Sequence, residues 1–173
     1  MRERDYILRM IEEMGEILIR IRKKILGQEE EAPVDADFGS LSRSLSRLAG
    51  VDLSLARSAS ADTLAMLVAP AGEVDPTRCW ILAETLYLDG IHASMEGRDD
   101  DALASLDRAH RLFALVKPGG VYLVGFPEAA ERMREIETRL EALGAALDEA
   151  DRTDSEGNPG SADPGESREG EPG

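Results

Sequence analysis

Ile7, Ile11, Met14, Leu18, Ile21 and Ile25 recur at alternating spacings of four and three. That is the period of side chains sharing one face of an α-helix, held here as a heptad seam for nearly three repeats. The pattern predicts a helix over 4–26, stopped at Gly27, a residue type suited to the position just past a helix end. Met10 and Ile17 flank the seam on one side, Leu8 and Ile19 on the other. The apolar arc then covers roughly 200° of the helix, wider than a single buried face requires. Such a helix needs cover on more than one side, from its own chain or from another.

The rest of the chain is punctuated into further helices. After an acidic loop containing Pro33, Leu41, Leu45 and Leu48 form one stripe that ends at Gly50. Residues 51–68 read as one or two short helical turns, the second capped by Ser60 and carrying Leu64 and Leu67. Asp75-Pro76 is the cleanest start signal: a capping carboxylate, then a proline at the first helical position. A helix from there to about Met95 is followed, after Gly97, by one opening on Asp99, Asp100 and Asp101, charges that suit a helix N-terminus. The short connection predicts an antiparallel hairpin over 76–117. Residues 121–126 are apolar but too few to classify beyond a loop or a helical turn. Pro127 opens a last helix, over 127–151, whose seam is Met133, Ile136, Leu140, Leu143 and Leu147. Glu128 with Arg132 and Glu135 with Arg139 stand four apart and are expected to support its exposed face.

From Arg152 onward the chain is Gly, Pro, Ser, Asp and Glu without a large apolar residue. Such a stretch cannot bury enough surface to offset the entropy of ordering it, so 152–173 is expected to be a disordered acidic tail. The remainder, 1–151, has the length of one ordinary domain. Its core must come from Leu, Ile, Ala, Val and Met, because aromatic residues make up only 4% of the chain. The expected fold is all-α: a bundle of five or six helices with the hairpin in the middle and the long first and last helices packed against it.

The hairpin, over about 83–115, resembles a tetratricopeptide repeat. Gly90, Gly97, Ala102 and Ala109 fall where that 34-residue motif places small residues, and Leu106 takes one of its large apolar positions. Ala93 stands where a Tyr is common, and Pro118 comes several residues late. The opening Asp5-Tyr6-Ile7-Leu8-Arg9-Met10-Ile11-Glu12 is similar to the start of an uncharacterised bacterial family of short helical proteins. The resemblance implies an N-terminal helix paired with a tetratricopeptide-like hairpin; it carries no known activity and leaves the function open. Peptide grooves in tetratricopeptide arrays need several stacked repeats, so a single hairpin implies a closed bundle.

Charge and chemistry narrow the function. A formal charge of -15 excludes non-specific nucleic-acid binding, which requires a basic surface. The lone cysteine, Cys79, cannot form an internal disulfide and fits a reducing compartment, and no apolar run approaches the ~20 residues that span a bilayer. Cytoplasmic residence is the expectation. Arg20, Arg22, Lys23 and Lys24 form a basic end to the first helix that could touch anionic lipid. Their plainer role is to complement the helix dipole and pair with Glu12, Glu13 and Glu16. His92 and His110, read as having no acidic or thiolate ligand at metal-site spacing, are expected to be partly exposed surface residues, and Cys79 lacks a convincing base. No catalytic, metal or cofactor site is expected. The reading is a non-catalytic module for binding a protein partner or for homodimerisation through 4–26. Its contacts are Ile7, Ile11, Met14, Leu18 and Ile21, with Trp80 as an anchor. A membrane-surface protein held by the first helix, and a small-ligand binder or enzyme using a gap in the bundle, are the alternatives.

Overall fold

The structure is a computed structural model that describes residues 2–25, 27, 34–116 and 128–156, with side chains described except at 2–8, 10, 11, 34, 36, 48, 49, 151 and 153–156. The described elements are α1 (Arg2–Ile25), α2 (Val34–Ser44), α3 (Leu53–Ser58), α4 (Ala61–Val68), α5 (Pro76–Met95), α6 (Asp99–Val116) and α7 (Ala129–Glu156). A π-helical turn, Leu45–Ala49, continues α2. No strand occurs among the described residues, and the fold is the all-α bundle expected. Among the described residues there are seven α-helices, with residues 51–68 divided into two. The backbone of Ala59 is extended, and Ser60 restarts the helix by accepting a hydrogen bond from the Thr63 amide at 3.2 Å.

α5 is the axis of the bundle. Asp75 caps it as the sequence implies, its carboxylate accepting from the Arg78 amide at 3.0 Å, and Pro76 occupies the first turn. Every residue from Ile81 to Ile91 is buried, so α5 is covered on all sides. α6 returns antiparallel beside it after a turn at Gly97, whose φ of 72° is the left-handed conformation that glycine adopts without strain. The two helices touch at Gly90. A methyl group there would lie 2.7 Å from Leu106 Cγ and 3.2 Å from the Ala102 carbonyl oxygen. Leu82, Leu86, Leu106, Leu112 and Phe113 fill the seam between the pair and its neighbours.

The long end helices flank this pair. Arg22 of α1 meets Glu84 of α5, and Gly15 and Leu18 line one groove with Trp80. α2 returns along α1: Lys24 pairs with Asp37 at one end, and Glu13 binds Ser44 and Arg47 at the other. Leu41 and Leu45 of the predicted stripe are buried, while the Leu48 side chain lies outside the described residues. α7 packs across α6 and α5 with Ala129 and Ile136 fully buried and Met133, Leu140 and Leu143 partly so. It runs to Glu156, five residues beyond the expected end at 151. The predicted tail from 157 on, and the run 121–126, lie outside the described residues.

Candidate functional site

The heptad seam of α1 turns inward. Met14, Leu18 and Ile21 are 0%, 4% and 0% exposed. They sit in the core that α1 shares with α2 and α5, so their apolar surface is consumed within the chain. The physical reason is the width of the apolar arc: one part of it packs inward, and contacts with anything outside fall to the part left over. Ile7 and Ile11 lie on α1, but their side chains are outside the described residues. Among the described apolar side chains of α1 the one shown to solvent is Ile19, 57% exposed, one helical turn after Gly15.

The basic end of α1 is held by acids on other helices rather than by Glu12, Glu13 and Glu16. Lys24 and, at 3.7 Å, Arg20 pair with Asp37, while Arg22 pairs with Glu84. Glu84 is 3% exposed in the middle of α5. A carboxylate this deep requires partners, because an uncompensated buried charge is costly. It has two: Arg22 from α1 and Arg132 from α7, the latter at 3.3 Å. Arg132 also bonds Glu135 at 3.1 Å, and so turns inward instead of pairing with Glu128 across an exposed face. Both guanidiniums also approach the Tyr87 ring, that of Arg22 to 5.8 Å and that of Arg132 to 5.4 Å from its centroid. Its hydroxyl donates to Glu135 at 2.6 Å. Burial, then this bond to a carboxylate, push the phenol up to about 12. Burial alone would raise the Glu135 carboxyl, but the Tyr87 hydroxyl and Arg132 outweigh it and hold that carboxyl below its usual range.

Outside this clasp lies a groove of roughly 260 Å³ between α1, α5 and α7. Gly15, Leu18, Ile19 and Trp80 form its apolar wall, with Arg22, Arg132, Glu84 and Glu128 around them. Trp80, the predicted anchor, is half-buried against the core with part of its ring lining the groove. At Gly15 a methyl group would meet nothing within 4 Å, which leaves the middle of the wall open to close approach.

A second concavity, roughly 330 Å³, lies between α2, α3, α5 and α6. Its floor is Asp89, a second buried acid of α5, which accepts from Arg57 Nε at 3.1 Å and from the Ser105 hydroxyl at 3.0 Å. Arg57 Nη2 makes a further bond to the same carboxylate. Toward the rim lie Asp35, His92, Arg98 and Asp101. Sequence reading passed over this convergence, because Asp35 is distant in sequence and the interval from His92 to Glu96, one helical turn, was not recognised as ligand spacing. His110, on the other helix of the hairpin, stands 2.9 Å from Glu137 of α7. Cys79 is buried; its thiol contacts the Leu112 carbonyl oxygen at 3.3 Å. Burial, with Asp75 nearby, pushes that thiol up to about 12, so it is a core side chain rather than a nucleophile.

No family model matches the chain, and neither the curated proteins nor the solved structures contain a significant match to it.

Proposed function

We propose that this chain is a non-catalytic helical interaction module that pairs with a second copy of itself through the outward stripe of α1. The observation that carries the reading is the groove beside Ile19. A branched aliphatic side chain 57% exposed stands next to a half-buried tryptophan and an open glycine notch, ringed by charges of both signs. Association surfaces combine these elements: an apolar centre with an aromatic anchor, a mixed-charge rim and room for close approach. A rim carrying both Arg22 and Glu128 can face its own image across a two-fold axis, which favours a second copy over a partner of uniform charge.

Within this reading the inward seam of Met14, Leu18 and Ile21 keeps α1 rigid so that the outer stripe is presented in one orientation. The hairpin serves as a single tetratricopeptide-like frame, a role supported by the close approach of Gly90 to Leu106. A cytoplasmic setting is part of the proposal. It is supported by the single buried cysteine and by the finding that no helix of the described residues is long and apolar enough to cross a membrane.

The test is solution mass by light scattering over a wide concentration range, for the intact chain and for Ile19→Glu. A dimer that dissociates on substitution supports the proposal, and because Ile19 is exposed the helical signal should not change. Monomers at every concentration, or a dimer indifferent to Ile19→Glu, would overturn it.

A further inference from the structure

Three metal-ligating groups meet beside the second concavity, two of them, Asp35 and His92, lining it. Asp35 stands in the first turn of α2, His92 in the last turn of α5, and Glu96 at the residue that ends α5. A carboxylate oxygen of each acid and an imidazole nitrogen of His92 all lie within 4.8 Å of one another, and His92 Nε2 is 3.7 Å from Glu96 Oε1. We propose that Asp35, His92 and Glu96 bind a divalent first-row transition-metal ion of the zinc type. Ligand atoms about 2.0–2.2 Å from an ion sit roughly 3–4 Å apart, so these separations close by small side-chain rotations.

Four observations beyond proximity point the same way. Glu96 is already positioned: Arg98 donates to its Oε2 from Nε at 3.0 Å and from Nη2 at 2.6 Å, leaving Oε1 toward His92. The imidazole is positioned as well, against the Phe38 ring at 5.5 Å between centroids. Supporting contacts of this kind fix the orientation of metal ligands. The surrounding charge calls for a cation, since among the described residues lining the concavity Asp35, Asp89 and Asp101 stand with two cations, Arg57 and Arg98, and Glu96 adds a further carboxylate beside them. Among the described residues no ion pair engages Asp35, and the C-terminal end of α5 adds its own negative partial charge. Lastly, three protein ligands leave open coordination positions toward a concavity of roughly 330 Å³, large enough for water or a small anionic ligand. An imidazole among two carboxylates favours a zinc-type ion over magnesium or calcium, which take oxygen ligands.

Such an ion would tie α2 to α5, so its binding should raise the melting temperature of the chain. The experiment is equilibrium dialysis of the full chain against Zn²⁺ alone, on wild type and on the single variants His92→Gln, Asp35→Asn and His110→Gln. The expected result is one ion per chain in wild type and in His110→Gln, with affinity at least about tenfold weaker in His92→Gln and Asp35→Asn. His110 beside Glu137 is the control, being the other histidine–carboxylate pair of the chain. Thermal melting without metal reports whether His92→Gln still folds, and Asp35, on the surface, serves if it does not. Absence of stoichiometric zinc in wild type, or binding that survives Asp35→Asn unchanged, would overturn the site. So would equal loss in both histidine variants.

Discussion

Glu84 and Asp89 lie five positions apart on α5, both buried, and they face opposite flanks of the bundle. The Glu84 flank is assembled from afar: its guanidiniums come from 62 residues upstream and 48 downstream. The Asp89 flank draws on residues 32 and 16 away, an arginine and a serine. Shielding differs as well. The Arg22 and Arg132 side chains are 28% and 15% exposed, whereas Arg57 is 44% exposed and half in water. The same device, a carboxylate inside an apolar helix, thus joins remote segments on one flank and floors a concavity on the other. Glu84 thereby ties α1 and α7 to α5, and Asp89 ties α3 and α6 to it.

The sharpest way to break this comparison is to remove each acid. Glu84→Ala strands two shielded guanidiniums and should cost about 3 kcal/mol, near the lower end for breaking a buried pair. Asp89→Ala leaves Arg57 free to turn into solvent and should cost about 1–2 kcal/mol, in the range of hydrogen bonds to a charged group. Urea unfolding of both variants decides it, and equal losses would mean that the two flanks are energetically alike. The next contrast sets packing against propensity. Gly90→Val forces a branched side chain onto Leu106 and the Ala102 carbonyl and should destabilise by about 2–3 kcal/mol. Gly144→Ala meets nothing within 4 Å and should stabilise by about 0.5–1 kcal/mol through helix propensity. Gains at both positions would remove the case for tight packing in the hairpin.

The smallest effect concerns Tyr87. A phenol raised from 10.0 to about 12 contributes stability that is fully present below pH 10 and is lost as pH climbs through about 12. Tyr87→Phe should cost about 1 kcal/mol at neutral pH for the missing hydrogen bond, and should flatten the stability curve over that alkaline interval. An unchanged alkaline slope in the variant would show that other groups govern it.

The helices were legible because their signals are local. Asp75-Pro76, Ser60, Gly50 and Gly97 act within a turn of themselves, and each appears where its chemistry puts it. Which face of α1 turns inward was not legible, because a wide apolar arc is compatible with several orientations and only packing chooses among them. Glu84 and Asp89 carried a signal that was passed over. Glu84 and Asp89 are the two acids in a mostly apolar run from Cys79 to Met95, a setting in which a carboxylate is expected to be buried and paired. Their partners could not be named, since Arg22 and Arg132 become neighbours only when the fold closes. Asp35 beside His92 is the same case on the other flank.

The clasp at Glu84 also bears on the order in which the chain assembles. The α5–α6 pair is joined by a tight turn and can form early from local contacts, as low contact order favours. Glu84 would then wait on its surface for two cations that arrive with opposite ends of the chain. Until α7 has been made and docked, one oxygen of that carboxylate lacks its guanidinium, and α1 alone cannot complete the lock. During synthesis from the N-terminus the bundle would therefore stay loosened until α7 emerges, and Arg132 would complete the clasp around a carboxylate already waiting on α5.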